Sequence, residues 1–168
     1  MVLGPALGTF LAGRDQGIDD RVDEARTADL KLAGLLIRVH GRQFPDAQDD
    51  WDGNWLSVTA QCDDNGASVV ASGPIVHLSE LVRWCREVEN LFQSMAGEAR
   101  LDCREPNLTV VLEAAPLGHI TMDVSITPDH LTQKHWFQFD IDQSYLPTLI
   151  AQCQSILQAY PLRGAPTG

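Results

Sequence analysis

Histidines and carboxylates are the residues through which this chain could do chemistry, and their spacing gives them little to work with. His40, His77, His119, His130 and His135 are scattered along the sequence. His119 and Asp123 have the parity of one face of a β-strand, but at that separation they reach each other only if a neighbouring strand intervenes. Asp140 and Asp142 have the residue types of an acid–base pair, yet they read more simply as a strand-end carboxylate followed by a helix cap. The run Asp49-Asp50-Trp51-Asp52-Gly53-Asn54 has calcium-loop residue types without the EF-hand spacing or its terminal Glu. His130 and His135 flank a loop with no third ligand nearby. Nucleotide-binding glycine motifs and a G-x-S-x-G elbow are absent from the sequence. These residues predict no catalytic site, no cofactor and no metal.

Composition narrows the class. With 168 residues, 44% of them hydrophobic, the chain has the length and the apolar content for one domain with a core. Its formal net charge of -11 leaves no basic patch of the kind a nucleic-acid binder shows. The acidity serves solubility in the plain reading, and in the sharper one it builds a surface that meets a basic partner. Cys62, Cys85, Cys103 and Cys153 are widely spaced and fall on apolar faces, which predicts buried free thiols and a reducing compartment. No run has the length of a membrane-spanning helix. The opening MVLGPALGTFLAG lacks the basic start of a signal peptide. The expectation is a cytoplasmic protein that binds neither membrane nor nucleic acid.

The elements that must position these side chains follow from periodicity. Residues 1–28 carry no sustained pattern and are expected to be an extension; residues 29–164 are expected to form one α+β domain. Leu30 to Val39 is apolar on both faces, as in a well-covered strand. Leu56, Val58, Ala60 and Cys62 alternate with Trp55, Ser57, Thr59 and Gln61, and Asn65-Gly66 turns the chain into a returning strand. Ser79 can cap a helix whose stripe is Leu81, Val82, Trp84, Cys85, Val88, Leu91, Phe92 and Met95. The second half repeats the scheme: strands near Leu101, from Leu108 to Ala114, from His119 to Ile126 and from Trp136 to Ile141, then a helix carrying Leu146, Leu149, Ile150, Cys153, Ile156, Leu157 and Tyr160 up to Pro161.

That order predicts a mainly antiparallel sheet of about six to seven strands with two helices packed on one face. The opposite face is then polar and acidic. Trp55, Glu113, His119, Asp123, Trp136, Gln138 and Asp140 are its candidate partner-binding residues.

Several segments, in order, resemble the WapI-type immunity proteins of bacterial contact-dependent toxin systems: WDGNWLSVTAQC, HLSELVRWCREVENLF, GEARLDCREPNLTVVLE, GHITMDVSI and FDIDQSYLPTLIAQCQSILQAYPLRG. The resemblance covers about residues 30–164. It implies a small antidote, monomer or weak homodimer, that binds and neutralises the C-terminal domain of a cognate toxin, in such systems often a nuclease. It carries no residue roles over. Two other readings stay open: an adaptor domain that binds another protein or itself, and a small-ligand or divergent enzyme domain using His119, Asp123 and Trp136.

Overall fold

The computed structural model describes residues 28–164. The expected extension, residues 1–28, lies outside them but for its last residue. Among the described residues the fold is α+β and antiparallel, and its eight strands divide into two four-stranded meanders, each followed by a helix. In the first sheet β1 (Leu30–Leu32), β2 (Leu35–Arg42), β3 (Trp55–Asp64) and β4 (Ala67–His77) lie in sequence order, and α1 (Leu78–Ser94) follows. In the second, β5 (Glu98–Asp102), β6 (Leu108–Ala114), β7 (His119–Ile126) and β8 (His135–Asp142) do the same, and α2 (Leu146–Ala159) follows.

Local chemistry explains the turns. Asn65 and Gly66 both take positive φ, 47° and 88°, as a two-residue hairpin with the right-handed strand twist requires. The apolar run from Leu30, expected as one strand, breaks at Ala33-Gly34 into a hairpin, with Leu32 opposite Leu35. Both flanks remain buried, so hydropathy alone does not show the break. Gly34 is required for a second reason. A Cβ there would lie 2.1 Å from the Asp63 carbonyl oxygen and 2.8 Å from the Phe139 ring, so this turn is where the first sheet touches β8 of the second.

Each helix closes the sheet it does not follow. α1 packs against β5 and α2 against β1, and the two helices pack on each other. The pairing extends to hydrogen bonds: Glu87 of α1 accepts the Arg100 N–H of β5 at 2.8 Å, and Gln152 of α2 accepts the Lys31 N–H of β1 at 3.0 Å. Inner faces of both sheets and the helix stripes form one buried cluster with Trp84 at full burial. Phe92, expected on the α1 stripe, is exposed instead.

The start of α1 is the tightest junction. His77, rather than Ser79, is the N-cap; its Nδ1 accepts the Ser79 N–H at 3.4 Å. Glu80, only 3% exposed, completes a capping box by accepting the His77 N–H at 3.1 Å. Its other oxygen accepts the Arg104 N–H at 3.0 Å and sits 3.3 Å from the Arg104 guanidinium. One buried carboxylate thus joins the end of β4, the helix N-terminus and the β5–β6 loop, where the helix dipole also favours its charge.

All four cysteines are free and buried. Burial, with Asp63 and Asp64 beside it, pushes the Cys62 thiol up to about 12, and burial likewise raises Cys103 and Cys153.

Three outcomes follow from this packing. Gly34→Ala should lower the free energy of unfolding by about 2 kcal/mol or more, measured by urea titration, because the hairpin must leave Asp63 and Phe139. Glu80→Ala should cost about 2 kcal/mol or more by the same measurement, since it leaves the buried His77 N–H and the part-buried Arg104 N–H without their acceptor. The thiols should react with a disulfide reagent at least about a hundredfold more slowly in native buffer than in denaturant.

Candidate functional site

The outward positions of the second sheet form the surface predicted from the sequence. Its register sets three cross-strand rows side by side: Glu98, Glu113, Thr121 and Asp140; Arg100, Val111, Asp123 and Gln138; and Asp102, Thr109, Ser125 and Trp136. Between these positions Ala99, Leu101, Val110, Leu112, Met122, Val124 and Phe137 point into the core. Alternation therefore forces the carboxylates outward, and the strands hold them in a grid.

This grid is acidic and largely unneutralised. Arg100 is its single basic residue, with Nε 3.7 Å from Asp102. Glu98 stands directly opposite Glu113, an arrangement that costs stability. Gln138 donates from Nε2 to Asp123 Oδ1 at 3.1 Å. Trp136 lies at one corner, 57% exposed. An open groove of about 420 Å³, lined by Arg83, Glu87, Glu98, Arg100 and Asp102, continues the face toward α1.

The chemistry weighed for His119 and Asp123 finds no pair here. The cross-strand partner of Asp123 is Gln138, and that of His119 is Asp142. Asp142 is occupied as a cap: Oδ1 accepts the Ser144 N–H at 2.8 Å. The Ser144 hydroxyl, then its N–H, hold this carboxyl below the usual carboxylate range, with His119 a lesser contributor. Among the described residues, no three His, Cys, Asp or Glu side chains are grouped to hold a metal ion.

Six of the seven predicted residues share this face; Trp55 does not. It is 8% exposed, at the far end of the first sheet, opposite His77. The strand alternation that put Trp55 outward is correct locally, but the preceding loop folds over that end. The Trp51 ring meets Trp55 edge-on at 5.9 Å, and His77 meets it at 5.1 Å.

Trp51 is the residue that sequence reasoning passed over. It stays 54% exposed while four neighbours fix it. The Arg104 guanidinium lies 4.8 Å over its ring, a cation–π contact; His77 tilts against it at 5.7 Å; Trp55 packs on its edge; and Asp49 accepts its N–H at 2.9 Å. Asp49 also accepts the Asp52 N–H at 2.7 Å, and these backbone bonds lower its pKa. Asp49, one of the calcium-like aspartates, thus organises a turn.

The C-terminal segment pins this loop. Asn54, fully buried, donates to the Asp50 and Arg163 carbonyls at 2.8 and 2.9 Å. Arg163 donates to the Pro45 and Ala47 carbonyls at 2.6 and 2.7 Å. The Arg42 guanidinium reaches the Gly53 and Pro161 carbonyls. The available signal was a tryptophan among four carboxylates, Asp46, Asp49, Asp50 and Asp52; its residue types drew attention to metal binding instead.

No helix among the described residues is long and apolar enough to cross a membrane. Curated proteins contain no match to this chain. Among solved structures, a chain from crystal structures of Trypanosoma bruciei MRP1/MRP2 is similar at 10% identity and a TM-score of 0.39, covering 88% of this chain and 96% of its own length. A likeness at that level carries no functional argument. The model of the "Immunity protein WapI-like family" matches residues 29–161, nearly the whole described chain. By that match, the chain belongs to the immunity protein WapI-like family.

Proposed function

We propose that this protein is a non-enzymatic antidote that binds the C-terminal domain of a cognate bacterial toxin and neutralises it by covering its active surface. Family membership supports the class. The observation that carries the mechanism is the unneutralised carboxylate grid of the second sheet, with Glu98 set against Glu113. A face that served only solubility would gain from alternating signs across strands. Holding like charges opposite one another costs stability and returns nothing within the fold, as is usual of binding surfaces.

Such a face suits a partner with a basic groove. A nuclease has one, because it must hold phosphates, and a grid of carboxylates can occupy it in place of the substrate. Opposed fields also speed association, which matters for an antidote that must outrun a toxin. The contact surface in this reading contains Glu113, His119, Asp123, Trp136, Gln138 and Asp140. It runs on through Asp102 to the loop where Arg104 carries Trp51. Trp136 and Trp51 supply the aromatic area that dominates interface energetics. The compartment in this reading is the cytoplasm, where a nuclease meets its substrate.

The test uses the C-terminal domain of the cognate toxin. Asp123→Lys combined with Asp140→Lys should weaken its capture at least about a hundredfold, mostly through a slower on-rate. Glu113→Lys should weaken capture too, yet raise folding stability by about 0.5 kcal/mol by relieving Glu98. Capture indifferent to all three reversals would move the surface elsewhere, and no capture of that domain would remove the antidote reading.

A further inference from the structure

Each sheet has two edge strands, and three of the four are capped or interrupted. The central amide of β1, Lys31 N–H, is taken by Gln152 of α2, and the central amide of β5, Arg100 N–H, by Glu87 of α1. β4 is broken by a register shift opposite Leu56–Val58 and carries Gly73-Pro74, devices that blunt an edge. β8 differs. It runs from His135 to Asp142 without Pro, Gly or a register shift, and β7 is its sole partner among the described strands. Alternate amides and carbonyls on its far side therefore face outward, a template for one more strand.

The sequence of β8 selects the occupant. Lys134 immediately precedes it and His135 begins it, and Asp140 and Asp142 stand at its end. Laid antiparallel on a copy of itself about Gln138, the strand pairs Lys134 with Asp142, Trp136 with Asp140 and Phe137 with Phe139. Opposite charges then meet at both ends, whereas an in-register parallel copy sets like against like. Phe137, Phe139 and Ile141 turn toward the core side, so the added strand continues the apolar inner face as well as the polar outer one. We infer that a second copy of this chain docks on β8, antiparallel and centred on Gln138, joining two four-stranded sheets across a twofold axis. This dimer does not depend on the toxin reading; in it the two acidic faces run on as one.

Cross-linking reads the register directly. Residues opposed across antiparallel strands have Cβ atoms about 4.5–5.5 Å apart, close to what a disulfide spans. Gln138→Cys, which opposes its own copy, should form a disulfide-linked dimer under mild oxidation. Trp136→Cys, whose copy lies about 13 Å along the strand, should give at least tenfold less. Both positions are exposed, so neither variant disturbs the core, and the buried native thiols keep the background low. Sedimentation of the unmodified protein should show a concentration-dependent dimer, weakened about tenfold by Lys134→Asp. A monomer at every concentration up to about a millimolar, or equal cross-linking at positions 136 and 138, overturns the inference. So does β8 amide protection against exchange that appears with the toxin domain and not with concentration, since that gives the edge to the toxin.

Discussion

A single buried carboxylate holds the two halves of this protein in register. Glu80 accepts the His77 and Arg104 N–H groups and is ion-paired with the Arg104 guanidinium while almost wholly removed from water. Burying a carboxylate is costly unless its oxygens are satisfied and a cation is paired with it. Here the capping box, the helix N-terminus and Arg104 meet that demand together. The consequence reaches the surface: Arg104, tied by Glu80, lies over Trp51, and His77, capped by the same residue, lies beside it. Folding therefore sets the position of an exposed tryptophan through a salt bridge beneath it.

The second organising constraint is the exchange of helices between sheets. Each meander leaves its first strand as an open edge, and the helix that follows the other meander covers it, down to a side chain that takes the central N–H. Neither half could close its own edge in this way. The inner faces then share one core, and the polar outer face of the second sheet is left for recognition. A rigid sheet is a good base for such a face, since strand pairing fixes the spacing of the carboxylates before any partner arrives.

Much of this was legible in the sequence, and the parts that were not have physical reasons. Period-two alternation located the strands from Trp55 to Ile141, and Asn65-Gly66 announced its turn. Six of the seven face residues are neighbours because alternation within a strand fixes which way each points. What alternation cannot say is which strands pair over a distance, so one expected sheet became two of four strands. The Ala33-Gly34 hairpin was hidden because Leu30, Leu32, Leu35 and Ile37 are buried on both sides of it. Trp55 was misplaced because a loop, whose path leaves no periodic trace, covers that end of its sheet. Trp51 was missed because its surrounding aspartates resemble ligands. The Asp49 carboxylate and the buried Asn54 instead shape a turn that Arg163 pins from the far end of the chain.

Chemical footprinting of carboxyl groups tests whether the carboxylate grid of the second sheet is what meets the toxin. The protein would be labelled with a water-soluble carbodiimide, alone and bound to the cognate toxin domain, and each site read by mass spectrometry. Glu113, Asp123 and Asp140 should lose labelling in the complex while Asp64, at the far hairpin of the first sheet, keeps it. Unchanged labelling of those three carboxylates in a formed complex would contradict that role of the grid.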